Sequence, residues 1–136
     1  MIVVDASVLA NMLVYADDRG RTARSVLGRD TEWAAPEHWK VEVFSVIRGL
    51  ALGNKIKEER AVWAIERLPH LGIDHVSLDD LLPRMWQFRA NISGYDAAYV
   101  ALAEARNLTL VTLNGRLAQG ATSYCRVELV PESTCP

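Results

Sequence analysis

Short apolar runs of strand length alternate with longer stretches of helical periodicity throughout this chain, and that alternation limits its fold to few choices. Ile2-Val3-Val4 is apolar from the outset, Glu32-Trp33-Ala34-Ala35 and Ile73 to Val76 are of strand length, and Leu108 to Thr112 and Arg126 to Val130 complete the set. Between them lie stretches with apolar residues at helical spacing. Strands this short and apolar, separated by helices, predict a three-layer α/β/α sandwich with a short, mostly parallel central sheet. Sites in such sheets form outside the C-terminal ends of the strands. Asp5 and Asn114 both fall at those ends.

The helical stretches carry their own punctuation. One begins at about Ser7, with Val8, Leu9, Met12 and Leu13 on one face, and Asp17-Asp18-Arg19-Gly20 breaks it. Thr22 to Leu27 reads as a short helix ending at Gly28. Pro36 is expected to open a long helix, because a first-turn proline sacrifices no hydrogen bond. Trp39, Val43, Val46, Ile47 and Leu50 form its apolar stripe, and Gly53-Asn54 ends it. Lys57 to Leu68 is a further amphipathic helix. Ser77-Leu78-Asp79-Asp80 resembles a capping box for the next one, with Pro83 in its early turns or at its true start. Ser93-Gly94-Tyr95-Asp96 starts another, which Asn107 stops. Asn114-Gly115 is read as a turn.

The 136 residues suit one domain, 1–136, able to bury a core. Half are hydrophobic and about a quarter charged, as in ordinary globular proteins. No apolar run approaches the roughly 20 residues that cross a membrane. The absence of a basic stretch before Ile2 argues against a signal peptide, so a cytoplasmic location is expected. Cys125 and Cys135 lack metal-ligand spacing, and a reducing compartment favours free thiols. The net charge of −2 argues against a protein that coats nucleic acid, though not against an enzyme acting on it.

Three acids stand out because their neighbours are apolar. Asp5 ends the first strand, Glu42 lies within Trp39 to Phe44, and Asp96 precedes an alanine-rich stretch. A buried carboxylate must be paired, hydrogen-bonded or metal-bound. Each alone has a structural explanation: Asp5 as a helix cap, Asp96 as part of a capping box with Ser93, Glu42 as an ion-pair partner of Arg48 or of a lysine on another element. Together they suggest a converging pocket for a hard divalent cation, which prefers carboxylate oxygens. Phosphodiester cleavage is a chemistry that such ions support, in pairs about 4 Å apart or singly.

Val4-Asp5-Ala6-Ser7, Glu42 within its helix, Gly94-Tyr95-Asp96-Ala97-Ala98-Tyr99 and Leu110-Val111-Thr112-Leu113-Asn114 together resemble the PIN-domain family, and more narrowly VapC toxins of type II toxin–antitoxin modules. The resemblance runs along essentially the whole chain, and Tyr95 to Tyr99 is its most specific part. It implies a Mg²⁺- or Mn²⁺-dependent endoribonuclease, homodimeric, inhibited by a VapB-type antitoxin, and acting on tRNA or a ribosomal RNA loop. Carried over by position, Asp5 and Asp96 are the principal metal ligands and Glu42 completes the acidic cluster. Ser7 supports a ligand carboxylate or simply caps a helix. The cleavage implied leaves 5′-phosphate and 3′-hydroxyl ends.

Asn114 departs from the family, which usually places a fourth acid there. An amide oxygen can coordinate a hard cation but brings no charge. The sequence is compatible with a natural one-metal variant, a weakened nuclease, an Asp-to-Asn change that disarms a toxic protein, or an asparagine that never faces the site. A second function class therefore stands beside the nuclease: a PIN-like binding module acting with its antitoxin in DNA-bound autoregulation. His38, His70 and His75 are scattered and read as surface or capping residues. Trp39, Trp63 and Trp86 are expected in packing. The first two helices and the Lys57 to Leu68 helix could form a groove for an antitoxin segment. Arg19, Arg21, Arg24, Arg89 and Arg116 are candidates for phosphate or antitoxin contacts.

Overall fold

A computed structural model describes residues 1–131. Five strands form one sheet: β1 (Ile2–Val4), β2 (Trp33–Pro36), β3 (Ile73–Val76), β4 (Leu110–Thr112) and β5 (Val127–Leu129). Their order is β3-β2-β1-β4-β5, and every pairing is parallel. β1 lies at the centre with both faces covered, so Val3 and Val4 are fully buried. The helices are α1 (Ala6–Val14), α2 (Asp18–Leu27), α3 (Trp39–Leu52), α4 (Glu58–Arg67), α5 (Leu82–Gln87), α6 (Gly94–Arg106) and α7 (Gly115–Ala121).

The strand order decides where the helices go. The chain steps from β1 to β2 to β3 in one direction, then returns to β4 and β5 in the other. Right-handed crossovers place α1 to α4 on one face and α5 to α7 on the opposite face. The packing agrees: α1 touches α2, α3 and α4, whereas α6 lies on β1, β2 and β4. Residues Ala97 to Ala103 of α6 are all buried, and their four alanines let the helix approach the sheet closely. The direction of winding reverses between β1 and β4. The carboxyl ends of those two strands are therefore the edge at which an α/β sheet opens a crevice.

Several local expectations are corrected. α2 starts at Asp18 rather than Thr22, because Asp17 accepts the Arg19 N–H and caps it. Gly20 is a helix residue packed so tightly that a Cβ would sit 1.8 Å from the Tyr15 carbonyl oxygen. Pro36 ends β2 instead of opening α3, which begins three residues later at Trp39. Ser77 forms a local turn with the Asp79 N–H, and α5 has no side-chain cap. Val46, expected in the α3 stripe, is exposed, while Trp39, Val43 and Ile47 are buried. Asn107 stops α6 in the left-handed conformation, φ 54°, as expected. Cys125 forms no disulfide among the described residues, and Cys135 lies outside them.

Candidate active site at the carboxyl ends of strands β1 and β4

Asp5 and Thr112 are both buried, at 5% and 0% exposure, and they touch. Thr112 Oγ1 donates to Asp5 Oδ2 at 2.8 Å, and Ser7 Oγ donates to the same oxygen at 2.6 Å. Oδ1 takes neither hydrogen bond. The hydroxyls are themselves tied down, since Leu113 N–H donates to Ser7 Oγ and Asn114 N–H donates to Thr112 Oγ1. Asp5 holds the N-cap position of α1, yet its side chain caps nothing. The carboxylate is thus oriented by β4 and by Ser7 rather than spent on its own helix.

Glu42 and Asp96 reach the same place from the first turns of α3 and α6. Helix starts carry partial positive charge and unsatisfied N–H groups, which soften the cost of an acid there. The cost is not removed. Burial pushes the Asp5 carboxyl above its ordinary range; Ser7 and Thr112 oppose this, and the charges of Glu42 and Asp96 add to it. Burial also raises Asp96, with Ser93 opposing, Glu42 adding and His38 opposing. Burial raises Tyr99, with Glu42 and Asp5 adding. Asp5, Glu42 and Asp96 therefore feel one another.

Two further side chains enter the cluster that sequence reasoning set aside. His38 Nε2 lies 2.7 Å from Glu42 Oε1, and the His38 ring packs against Tyr95 and Tyr99 at 5.7 and 5.5 Å between centroids. The signal available was the His38–Glu42 spacing, i to i+4 on one helix face. Tyr99 closes the Tyr95 to Tyr99 stretch that carries the resemblance but was given no role of its own, and its hydroxyl is buried.

Asn114 is placed differently. Its Oδ1 accepts the N–H groups of Arg116 and Leu117 at 3.0 and 3.3 Å and so caps α7. The expected turn at Asn114-Gly115 is the start of that helix, and the side chain is exposed. Its link to the acids runs through the backbone, from its N–H to Thr112 and on to Asp5.

The donor set fits a hard cation. It offers carboxylate oxygens whose own repulsion a positive charge would relieve. Among the described residues no three His, Cys, Asp or Glu side chains are arranged to hold a metal ion as they stand. Mg²⁺ needs less than that, because it keeps several waters and takes only one or two carboxylates.

Residues 2–122 match the PIN domain. The chain belongs to the PIN-domain family. It is 36% identical over 132 residues to VapC ribonuclease Mb0985 of Mycobacterium bovis, spanning 96% of this chain and 99% of that protein. Ribonuclease VapC12 of Mycobacterium tuberculosis is 32% identical over 130 residues, with the same coverage. Within the PIN domains it therefore groups with VapC. The fold is also that of Mycobacterium tuberculosis VapC20, described as a sarcin–ricin loop cleaving toxin, with a TM-score of 0.68 at 18% identity over 93% of this chain and 99% of that one.

The remaining expected contacts are mixed. Arg19 pairs with Asp17, Arg21 pairs with Asp18, and Arg24 donates to the carbonyls of Met12 and Tyr15. Arg89 stacks over the exposed Trp86, and Arg116 is exposed. Trp63, half-exposed on α4, lies between Arg60 and Arg67, each 4.2 Å from its ring centre. No helix among the described residues is long and apolar enough to cross a membrane.

Proposed function

We propose that this chain is the toxin of a type II toxin–antitoxin module, a single PIN domain that acts in the cytoplasm as a Mg²⁺- or Mn²⁺-dependent endoribonuclease. The observation that carries this reading is the buried Asp5 carboxylate, oriented by Ser7 and Thr112 and pressed by the charges of Glu42 and Asp96 at the reversal point of a parallel sheet. Asp5 and Asp96 would hold the ion, with Glu42 beside them. A bound divalent ion supplies an acidified water and offsets charge on the scissile phosphate. The protein's own task is placement. Ser7 and Thr112 fix one Asp5 oxygen, and the starts of α3 and α6 set the other two acids around it. The substrate class is structured RNA, a tRNA or a ribosomal RNA loop.

The antitoxin fits a cleft of about 250 Å³ where the end of α1 meets the loop before α4, lined by Val14, Tyr15, Arg19, Ile56, Lys57 and Arg60. Its apolar floor and cationic rim suit an acidic amphipathic segment of a VapB-type partner. Two copies of the chain would form the working homodimer.

The products test the reading. Cleavage through a water nucleophile leaves 5′-phosphate and 3′-hydroxyl ends, so the fragments are ligatable without repair. Fragments ending in 2′,3′-cyclic phosphate would refute the mechanism. RNA left intact at every divalent ion tried, with operator DNA bound by the antitoxin complex, would favour the binding-module reading.

A further inference from the structure

Around Glu42 the structure leaves an unusual set of buried polar atoms. His38 Nδ1 and Nε2, Glu42 Oε1 and the Tyr99 hydroxyl are all shielded from solvent and without a fully formed hydrogen bond, although the Tyr99 hydroxyl is near enough to interact with Glu42 and the Ala6 backbone. His38 Nε2 and Glu42 Oε1 stand at hydrogen-bond distance, 2.7 Å, without the angle for one. Leaving a buried polar atom unsatisfied is costly. Such atoms are rare in folded proteins and gather where a side chain is kept ready for something else. Nothing in the core requires a histidine here. α3 begins at the next residue and takes only the His38 carbonyl, which accepts the Glu42 N–H at 3.3 Å.

The ring is nevertheless held in place. Tyr95 and Tyr99 of α6 pack against it, and α6 is also the helix that presents Asp96. His38 therefore spans the seam between the two helices that carry Glu42 and Asp96. Charged groups face it from both: Glu42 from its own helix and Asp96 across the seam. No lysine or arginine is among the groups that chiefly act on Asp5 or Asp96. The acidic pocket thus has a nitrogen donor built into its wall, against one carboxylate oxygen.

We propose that His38 is a positioning residue that steers the Glu42 carboxylate through its Nε2–H, so that Glu42 completes the cation site from a fixed direction. The inference rests on the metal-dependent reading of the acidic cluster. It also accounts for Glu42 having one oxygen against His38 rather than swinging freely toward solvent from the first turn of α3. A group that orients a ligand in this way typically changes metal affinity 10- to 100-fold when removed.

Two substitutions separate the nitrogen from the ring. His38→Phe keeps an aromatic ring between Tyr95 and Tyr99 and deletes the donor. His38→Gln loses the ring and keeps an N–H that can reach Glu42. The readout is Mn²⁺ binding to the full chain, followed by loss of the free-ion electron paramagnetic resonance signal, with thermal melting in EDTA to confirm folding. The expected result is a 10- to 100-fold weaker Mn²⁺ affinity in His38→Phe and near wild-type affinity in His38→Gln. Wild-type affinity in a folded His38→Phe would overturn the proposal, as would weaker binding in His38→Gln alone, which would mean that ring packing matters instead. Failure of the wild-type protein to take up Mn²⁺ would overturn the metal-dependent reading itself, and the proposal with it.

Discussion

Asp5→Asn should make the protein more stable and inactive at once. Asparagine keeps an oxygen for Ser7 and Thr112, at 2.6 and 2.8 Å in the wild type, but turns two charge-assisted hydrogen bonds into neutral ones. That loses roughly 1 kcal/mol or a little more for each bond. The gain is release from burying an ion with Glu42 and Asp96 nearby, a penalty of several kcal/mol for an unpaired charge. The Asp5 carboxyl lies above its ordinary range despite both donors, so burial and repulsion outweigh the hydrogen bonds. The net gain should be about 0.5–2 kcal/mol. In a chain of this length that raises Tm by roughly 2–8 °C. The pH dependence fixes the sign. The folded protein binds the Asp5 proton more tightly than the unfolded chain does, so ionisation costs stability as pH rises through the folded value. The advantage of Asp5→Asn should vanish below the ordinary carboxylate range and grow as pH rises from there toward the folded value. Melting in EDTA from pH 4 to 8 reads it directly. A variant that melts lower than wild type at pH 7 would refute the reasoning and make Asp5 a structural acid.

Three other outcomes follow from the same contacts. Thr112→Val removes the Asp5 donor and the acceptor of the Asn114 N–H with no change of shape, and should cost about 1–3 kcal/mol by denaturant melting. Asn114→Asp should keep the α7 cap, because aspartate and asparagine cap equally well, leaving Tm within a few degrees. Its added charge should raise Mn²⁺-dependent RNA cleavage at least several-fold; unchanged activity would mean that the position serves only the helix. Trp39→Ala empties a fully buried site and breaks the 2.8 Å hydrogen bond from Nε1 to His75 Nδ1, so a loss of about 3–5 kcal/mol is expected in urea titration.

The fold was legible because its signals are redundant. Short apolar runs such as Ile2-Val3-Val4 and Leu110-Val111, set off by stretches of helical periodicity, read as buried strands, and Asn107 and Gly53-Asn54 ended their helices where expected. Boundaries failed where one residue serves two structures. Proline suits the first turn of a helix and the last position of a strand, and tertiary pairing with Val76 put Pro36 in the strand. Gly20 looked like a break because sequence does not show that the Tyr15 carbonyl needs its missing Cβ. The acids were visible because charge in apolar sequence is costly. His38 and Tyr99 were not: a lone histidine reads as a surface or capping residue, a tyrosine among alanines gives no sign of a site, and only the packing of His38, at the N-cap of α3, against α6 brings the two together beside Glu42. Thr112 looked like an ordinary strand residue. Its role depends on β4 lying beside β1, a neighbour 107 positions away in sequence.

The most direct measurement is cleavage of total RNA by the antitoxin-free protein with Mn²⁺ or Mg²⁺, with EDTA, and with Asp5→Asn as the matched control. The acidic cluster predicts discrete cuts that need the ion and disappear in the control, while the control melts no lower than wild type. Cuts that persist in EDTA, or equally in folded Asp5→Asn, would contradict a metal-dependent nuclease centred on Asp5.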